Sequence, residues 1–356
     1  MTATRLVVRA PNWLGDLVMA LPALAALAEH QVDGTLAIAA PAAHAPVIDA
    51  ARIADEILPL AAERGVVGAL RSGDDVDALR RGGFDVAILL TNSFGSALEM
   101  RRAGVPERWG FATDLRRPLL TRAVARPRAG RQVRHQSAVY RALLEALDIP
   151  AGPRTVGLEV PESARDCGRA LLCARGWPEG ALLVGIAPGA AYGHAKRWPP
   201  EAVAALIDEL GARDVWSVLV GSPEDRPTGL AIESAIGRHG DRAGRSRLVN
   251  LIGATDLAGL LGVLAACRVG VANDSGAMHV ASAIGVPVMA IFGPTDERAT
   301  APLGPHVVLS EPVWCRPCLL RECPLDHRCM TRLHHARVLA AVLGRLDEAG
   351  DGAGRS

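Results

Sequence analysis

Lysine is almost missing from this chain. Of its 39 Lys and Arg residues, 38 are Arg, and the one Lys is Lys196. A compact ammonium on a flexible stem is not equivalent to a rigid planar guanidinium. One Lys kept against such a background is either a chance survivor on the surface or the mark of a place where that difference matters. Aromatic residues are scarce, at 3%, which argues against a base-stacking surface for single-stranded nucleic acid. A net charge of +1 excludes a strong overall field, so any basic surface is local. The longest uncharged apolar runs, Leu17–Ala28 and Leu257–Cys267, fall short of the roughly 20 residues that span a bilayer. Residues Met1–Arg9 lack the charged-then-apolar layout of a signal peptide, and the chain is expected in the cytoplasm. No G-x-G-x-x-G follows the first apolar run, which removes the usual dinucleotide fingerprint.

What is present is a 49% apolar content in short runs that alternate with helical segments, the pattern of parallel sheets. Strands are expected at Arg5–Arg9, Thr35–Ala40, Glu56–Leu60 and Asp85–Leu90, then at Leu182–Ile186, Trp216–Val220, Arg268–Ala272 and Val286–Phe292, with a short one at Val307–Leu309. Helices are expected at Leu17–Glu29, Val76–Arg81, Phe94–Arg102 and His135–Leu147, then at Glu162–Arg175, Pro200–Leu210, Pro223–Arg238, Leu257–Cys267 and Gly276–Ile284. The Pro- and Gly-rich stretch Ile149–Val160 reads as a boundary. The expectation is an α/β chain of two doubly wound domains: residues 1–160, a linker helix region at 161–180, residues 181–333, and a C-terminal helix at 334–346. Ligands of such folds bind beyond the carboxyl ends of the strands, at helix N-termini. The loops there are where chemistry is sought.

The loop after the first strand, Ala10–Leu17, holds Asn12, Gly15 and Asp16. An Asp at a helix start is an ordinary N-cap. As a general base it needs only hydrogen-bond reach to a substrate hydroxyl. Both readings stand at this point. After the fourth strand, Asn92 and Ser93 either cap a helix or hold sugar hydroxyls. Residues 108–141 contain nine Arg (108, 116, 117, 122, 126, 128, 131, 134 and 141) against one acid, Asp114. That local excess is either a solvated basic face or a cradle for an anionic partner, since Arg pairs well with carboxylate and phosphate.

In the second half, Pro188-Gly189-Ala190 leads through small residues to Lys196 and a helix start. Strand, small-residue loop, cation and helix suit a phosphate. Asn273-Asp274-Ser275-Gly276 opens another helix, with His279 one turn in. The Ser275 and Gly276 amides can meet a phosphate, and Asp274 can accept from sugar hydroxyls. Gly293-Pro294-Thr295-Asp296 borders the same region. Cys315-x2-Cys318-x4-Cys323-x5-Cys329 gathers four thiols, with His327 as a further ligand. A structural zinc or iron is one reading of this cluster, and free thiols or a stress-formed disulfide is the other. Cys167, Cys173 and Cys267 read as buried small apolar residues. Asp75-Val76-Asp77 superficially resembles a metal-binding Asp-x-Asp but reads as solvated surface.

Together these loops resemble glycosyltransferase family 9, the ADP-heptose:lipopolysaccharide heptosyltransferases, nearly end to end from Arg5 to Leu346. The marks are Asn12-Trp13-Leu14-Gly15-Asp16, Asn92-Ser93-Phe94, Pro188-Gly189-Ala190 through Lys196-Arg197-Trp198-Pro199, Asn273-Asp274-Ser275-Gly276 with His279, Gly293-Pro294-Thr295-Asp296, and the Cys cluster. The Lys-Arg-Trp-Pro loop and the Cys cluster favour the type II branch. Ala191 and Gly95 depart from the family pattern, where an acidic and a basic residue are common.

The resemblance implies a GT-B architecture, with the acceptor held by the first Rossmann-like domain and ADP-heptose by the second. It implies inverting transfer of L-glycero-D-manno-heptose to the first heptose of the inner core of lipopolysaccharide, with Asp16 as base. It implies donor contacts from Gly189, Ala190, Lys196, Asp274, Ser275, Gly276 and His279. Acceptor contacts are expected from Asn12, Asn92, Ser93, Arg116, Arg117 and Arg134. No cofactor is required, because a Lys and a helix N-terminus supply positive charge to the diphosphate. The acceptor, an anionic glycolipid, implies work at the inner face of the cytoplasmic membrane. Three other readings remain open: a family member acting on another acceptor, a Rossmann-type oxidoreductase or epimerase, which would need the missing glycine fingerprint, and a non-catalytic protein that binds anionic glycolipid.

Overall fold

The computed structural model describes residues 4–31, 34–61, 73–127, 134–237 and 247–353. They fall into two compact units that part between Val156 and Gly157. The first contains six strands, β1 (Arg5–Arg9), β2 (Thr35–Pro41), β3 (Glu56–Leu60), β4 (Val86–Leu89), β5 (Glu107–Phe111) and β6 (Arg122–Val124). Their order is β3-β2-β1-β4-β5-β6, and every neighbouring pair is parallel. The central strand β1 sets Val8 opposite both Ile38 and Ile88. Buried on both faces, it reads as a continuous apolar run rather than an alternating one.

The second unit repeats this plan. Its strands are β7 (Leu183–Ala187), β8 (Trp216–Leu219), β9 (Leu248–Asn250), β10 (Val269–Asn273), β11 (Val288–Phe292) and β12 (His306–Ser310). They lie in the order β12-β11-β10-β7-β8-β9, again all parallel. Counted from its own first strand, this sheet has the strand order of the first. Both are doubly wound Rossmann-type sheets, the building blocks of a GT-B enzyme. Strand order reverses between β1 and β4 in one unit and between β7 and β10 in the other. In open α/β sheets that reversal point is where ligands bind.

Three strands escape a reading of the sequence. β5 and β6 carry Arg in the basic stretch, and β9 has three residues, so none shows a long apolar run. The segment 161–180 is not a linker but part of the second unit. Its helix, Glu162–Ala174, packs on Leu257–Ala265 so closely that a side chain on Gly168 or Gly262 would strike the facing backbone. The last helix, His335–Ala353, runs past Leu346, and its Val338, Leu339 and Val342 join the second core with Val203, Leu206 and Leu210. Among the described residues no helix is long and apolar enough to cross a membrane.

Candidate functional site

The loops singled out in the sequence stand at the two reversal points. In the first unit the turn Ala10–Trp13 follows β1, and the Thr91–Ser93 loop follows β4. The helix after β1 is Leu14–His30, with Trp13 in the capping position and no side-chain cap. It starts three residues earlier than expected. Asp16 therefore lies inside the first turn, at the third helical position, and is not the N-cap. A carboxylate there is favoured by the helix dipole. Asp16 is half-buried beside Tyr140 of the helix Gln136–Glu145. Burial, and then the charge of Asp16, push the Tyr140 phenol above its ordinary value. Arg126 acts on the same phenol in the opposite sense. Tyr140 and Arg126 thus belong to the surroundings of Asp16. Arg126 belongs to the basic stretch, whereas no motif marked Tyr140.

Asn12 is half-buried, and its Oδ1 has no hydrogen-bond partner among the described residues. Ser93 is a true N-cap, its hydroxyl accepting from the Ser96 amide at 3.2 Å. Asn92 instead offers its carbonyl to the Thr113 hydroxyl at 3.1 Å. Arg116, expected to meet the acceptor, does something else. It is fully buried, and it donates from Nε to Phe111 O (2.8 Å) and from Nη1 to Thr91 O (2.6 Å). Desolvation pulls its guanidinium down to about 10. It holds the Thr91–Ser93 loop rather than a ligand. Gly110 makes room for it, because a Cβ there would lie 3.1 Å from Nη2.

The basic stretch divides in the same way. Arg108, Arg122 and Arg141 donate to backbone carbonyls of their own unit. Arg117, Arg126 and Arg134 are exposed, while Arg128 and Arg131 lie outside the described residues. The Asp75 carboxylate accepts from the Ala61 amide, and Asp77 pairs with Arg80.

In the second unit three loops converge on one carboxylate. Lys196 Nζ, after β7, donates to Asp274 Oδ2 at 2.6 Å, with side-chain exposures of only 12% and 5%. The Thr295 hydroxyl, after β11, donates to the same oxygen at 2.7 Å. The neighbouring Asn273 accepts from the Trp198 amide (3.2 Å) and donates to Pro188 O (2.7 Å), so it grips both ends of the Lys196 loop. Lys196 Nζ also lies 4.8 Å from the Tyr192 ring centroid. An ammonium has three donors, and beyond Oδ2 the one further hydrogen bond of Lys196 among the described residues is a long one, 3.4 Å, to Asp274 O.

Ser275 caps the helix Gly276–Ile284 by position but makes no cap bond, and its buried Oγ has no partner among the described residues. His279 is buried in that helix. Gly189 and Ala190 are buried too, and a side chain on Gly189 would collide with the Asp225 carboxylate. That carboxylate accepts from Ser222 N (3.1 Å) and Oγ (3.0 Å) and pairs with Arg197 at 3.4 Å. Asp225 was not foreseen, because nothing in its surroundings repeats a known spacing.

The Cys-rich segment is a brace for these loops. Ala195 N donates to Arg321 O (2.9 Å), and the Tyr192 hydroxyl donates to Leu319 O (2.8 Å). Arg316 Nε donates to Gly293 O (2.8 Å). His327, expected as a metal ligand, sets its Nε2 2.7 Å from Ala195 O instead. Among the described residues no three His, Cys, Asp or Glu side chains are arranged to hold a metal ion. The geometry of Cys315, Cys318, Cys323 and Cys329 therefore does not support the zinc or iron reading, and all four are free thiols. They do feel one another. Burial, then the other three thiols, push Cys329 up to about 11. Cys267 is buried as expected, but Cys167 and Cys173 are exposed.

Residues 76–328 match glycosyltransferase family 9 (heptosyltransferase). Lipopolysaccharide heptosyltransferase 2 of Salmonella typhimurium is 30% identical over 305 residues, 84% of this chain and 85% of that one. The protein of that name from Escherichia coli K12 is 29% identical over 306 residues, covering 84% and 85%. The solved structure of E. coli ADP-heptose lps heptosyltransferase II superposes with a TM-score of 0.81 at 27% identity, over 98% of this chain and all of that one.

Proposed function

Because the chain belongs to glycosyltransferase family 9, the heptosyltransferases, we propose that it moves L-glycero-D-manno-heptose from ADP-heptose, with inversion, to the first heptose of the lipopolysaccharide inner core. The observation that carries this reading is the Lys196–Asp274–Thr295 cluster at the opening of the helix Gly276–Ile284. An ammonium with donor capacity in reserve, a serine hydroxyl with no partner among the described residues and a helix N-terminus make a receptor for a diphosphate.

Negative charge grows on the departing ADP. Lys196 and the Ser275–Gly276 amides bind that charge more tightly in the transition state than in the ground state. Asp16 takes the proton of the acceptor hydroxyl as it attacks the anomeric carbon. Asp274 acts through Lys196, whose ammonium it holds. Asn12, Asn92 and Ser93 hold acceptor hydroxyls. The exposed Arg117, Arg126 and Arg134 meet its anionic groups, and the lipid portion keeps the enzyme at the inner face of the cytoplasmic membrane. The reaction uses no cofactor.

The test is to incubate purified protein with ADP-heptose and truncated core acceptors and read product mass. A gain of one heptose with equimolar ADP is expected. Acceptor binding without ADP release would leave only a glycolipid-binding protein. Asp16→Asn should abolish transfer and leave ADP-heptose affinity within about threefold. Equal loss of both would return Asp16 to a structural role.

A further inference from the structure

Arg9 closes β1, one residue before the turn that leads to Asp16, and it is 2% exposed. A buried guanidinium is costly unless it is paired. Its partner is Glu99 of the helix Phe94–Arg102, 6% exposed, with Nε 3.6 Å from Oε2. Both atoms lack a hydrogen-bond partner among the described residues. The same fork reaches the other way. Arg9 Nη1 donates to the carbonyl of Ala10 at 3.0 Å, while the Ala10 amide donates to Ala39 O at 3.0 Å.

Ala10 begins the turn that carries Asn12 and leads into the helix of Asp16. Glu99 sits on the helix capped by Ser93, next to Asn92. One side chain thus links the turn after β1 to the helix that follows the Thr91–Ser93 loop. Core packing gives no reason for a charged pair here. Val7, two residues earlier on the same face of β1, belongs to an ordinary apolar cluster with Ala97 and Met100 of that same helix. An apolar pair would fill the space without the desolvation cost. It could not donate to the Ala10 carbonyl.

We propose that Arg9 and Glu99 are positioning residues for glycosyl transfer: Glu99 orients the Arg9 fork, and the fork fixes the Ala10 peptide and so aims the Asp16 turn. This rests on the reading of Asp16 as the base. A misplacement of about 1 Å at a reacting group costs on the order of 100-fold in rate.

The experiment compares Arg9→Met, Glu99→Leu and the double variant by thermal melting and by steady-state kinetics with each substrate. Each single variant leaves one charge buried alone and should melt lower. The double variant should regain most of the parent melting temperature, yet keep kcat about 10- to 100-fold down with the KM for ADP-heptose changed less than about twofold. Recovery of both melting temperature and kcat would reduce the pair to packing and overturn the proposal. A parallel rise in the KM for ADP-heptose would overturn it too. Arg9→Lys keeps the charge but replaces the fork with a point charge, so it covers the case of a double variant that fails to fold. Parent kcat in Arg9→Lys would likewise refute the idea. Asp16→Asn is run beside them. If it retains transfer, the base assignment has failed whatever the Arg9 variants do.

Discussion

Lys196 shows how much one side chain conveys when its type is rare. Its loop, its cation and the helix start behind it were legible in the sequence, because each follows from local spacing. Its hold on Asp274 was not, since 78 residues separate the two. We expect Lys196→Arg to keep the fold and lose about 100-fold in kcat, as is typical when one electrostatic donor is removed from a transition state. A planar fork cannot take the place of an ammonium closed in by Asp274 and Tyr192. Parent turnover in that variant would remove the special role of lysine. Arg116 is the opposite case. Sequence placed it with the acceptor because nine Arg crowd one stretch, but charge counting cannot tell which of them face water. Its bonds to Thr91 and Phe111 carbonyls predict that Arg116→Met lowers stability by roughly 3 kcal/mol, since it orphans buried acceptors. Chemical denaturation would read that loss.

Elements were legible where apolar runs are long and central. β1, β7, β10 and β11 stand nearly where expected, because strands buried on both faces leave no other reading. Edge strands such as β6 and β9 hide, since they are short and need no apolar pattern. The Cys-rich segment was legible as a cluster but not as a brace, because its bonds to the Lys196 loop run through backbone groups that carry no residue signature. The contact of Glu162–Ala174 with Leu257–Ala265 gives a prediction at this scale. Gly262→Ala would drive a methyl into the Ala164 carbonyl, and overpacking of this kind costs about 1–3 kcal/mol. The melting temperature should fall while kcat at low temperature stays near that of the parent. A loss of kcat without a stability change would mean that this helix pair also shapes the donor loops.

Over the whole molecule, two doubly wound sheets could be foreseen from the alternation of strands and helices, and the family resemblance extended from end to end. The division at Val156 falls inside the stretch Ile149–Val160 read as a boundary, while the helix that looked like a connection belongs to the second unit. Charge buried in the first unit also gives the protein a pH response. Burial first, and then Arg9, lower the proton affinity of His44 below its ordinary 6.5. The unfolded chain then binds a proton that the folded chain refuses, so stability rises with pH across that interval. His44 therefore contributes fully above the unfolded value, and its contribution is lost as pH falls below about 6.5 toward the lower folded value. Relative to His44→Asn, the parent should lose melting temperature between pH 7.5 and 5.5. Parallel curves for the two proteins would assign the acid sensitivity elsewhere. Finally, the ammonium clasped by Asp274 is the sole side-chain amine in 356 residues. Acylating reagents that decorate most proteins indiscriminately would find one internal target here, and nucleotide should shield it, so a simple mass tag becomes an occupancy gauge that requires no engineering.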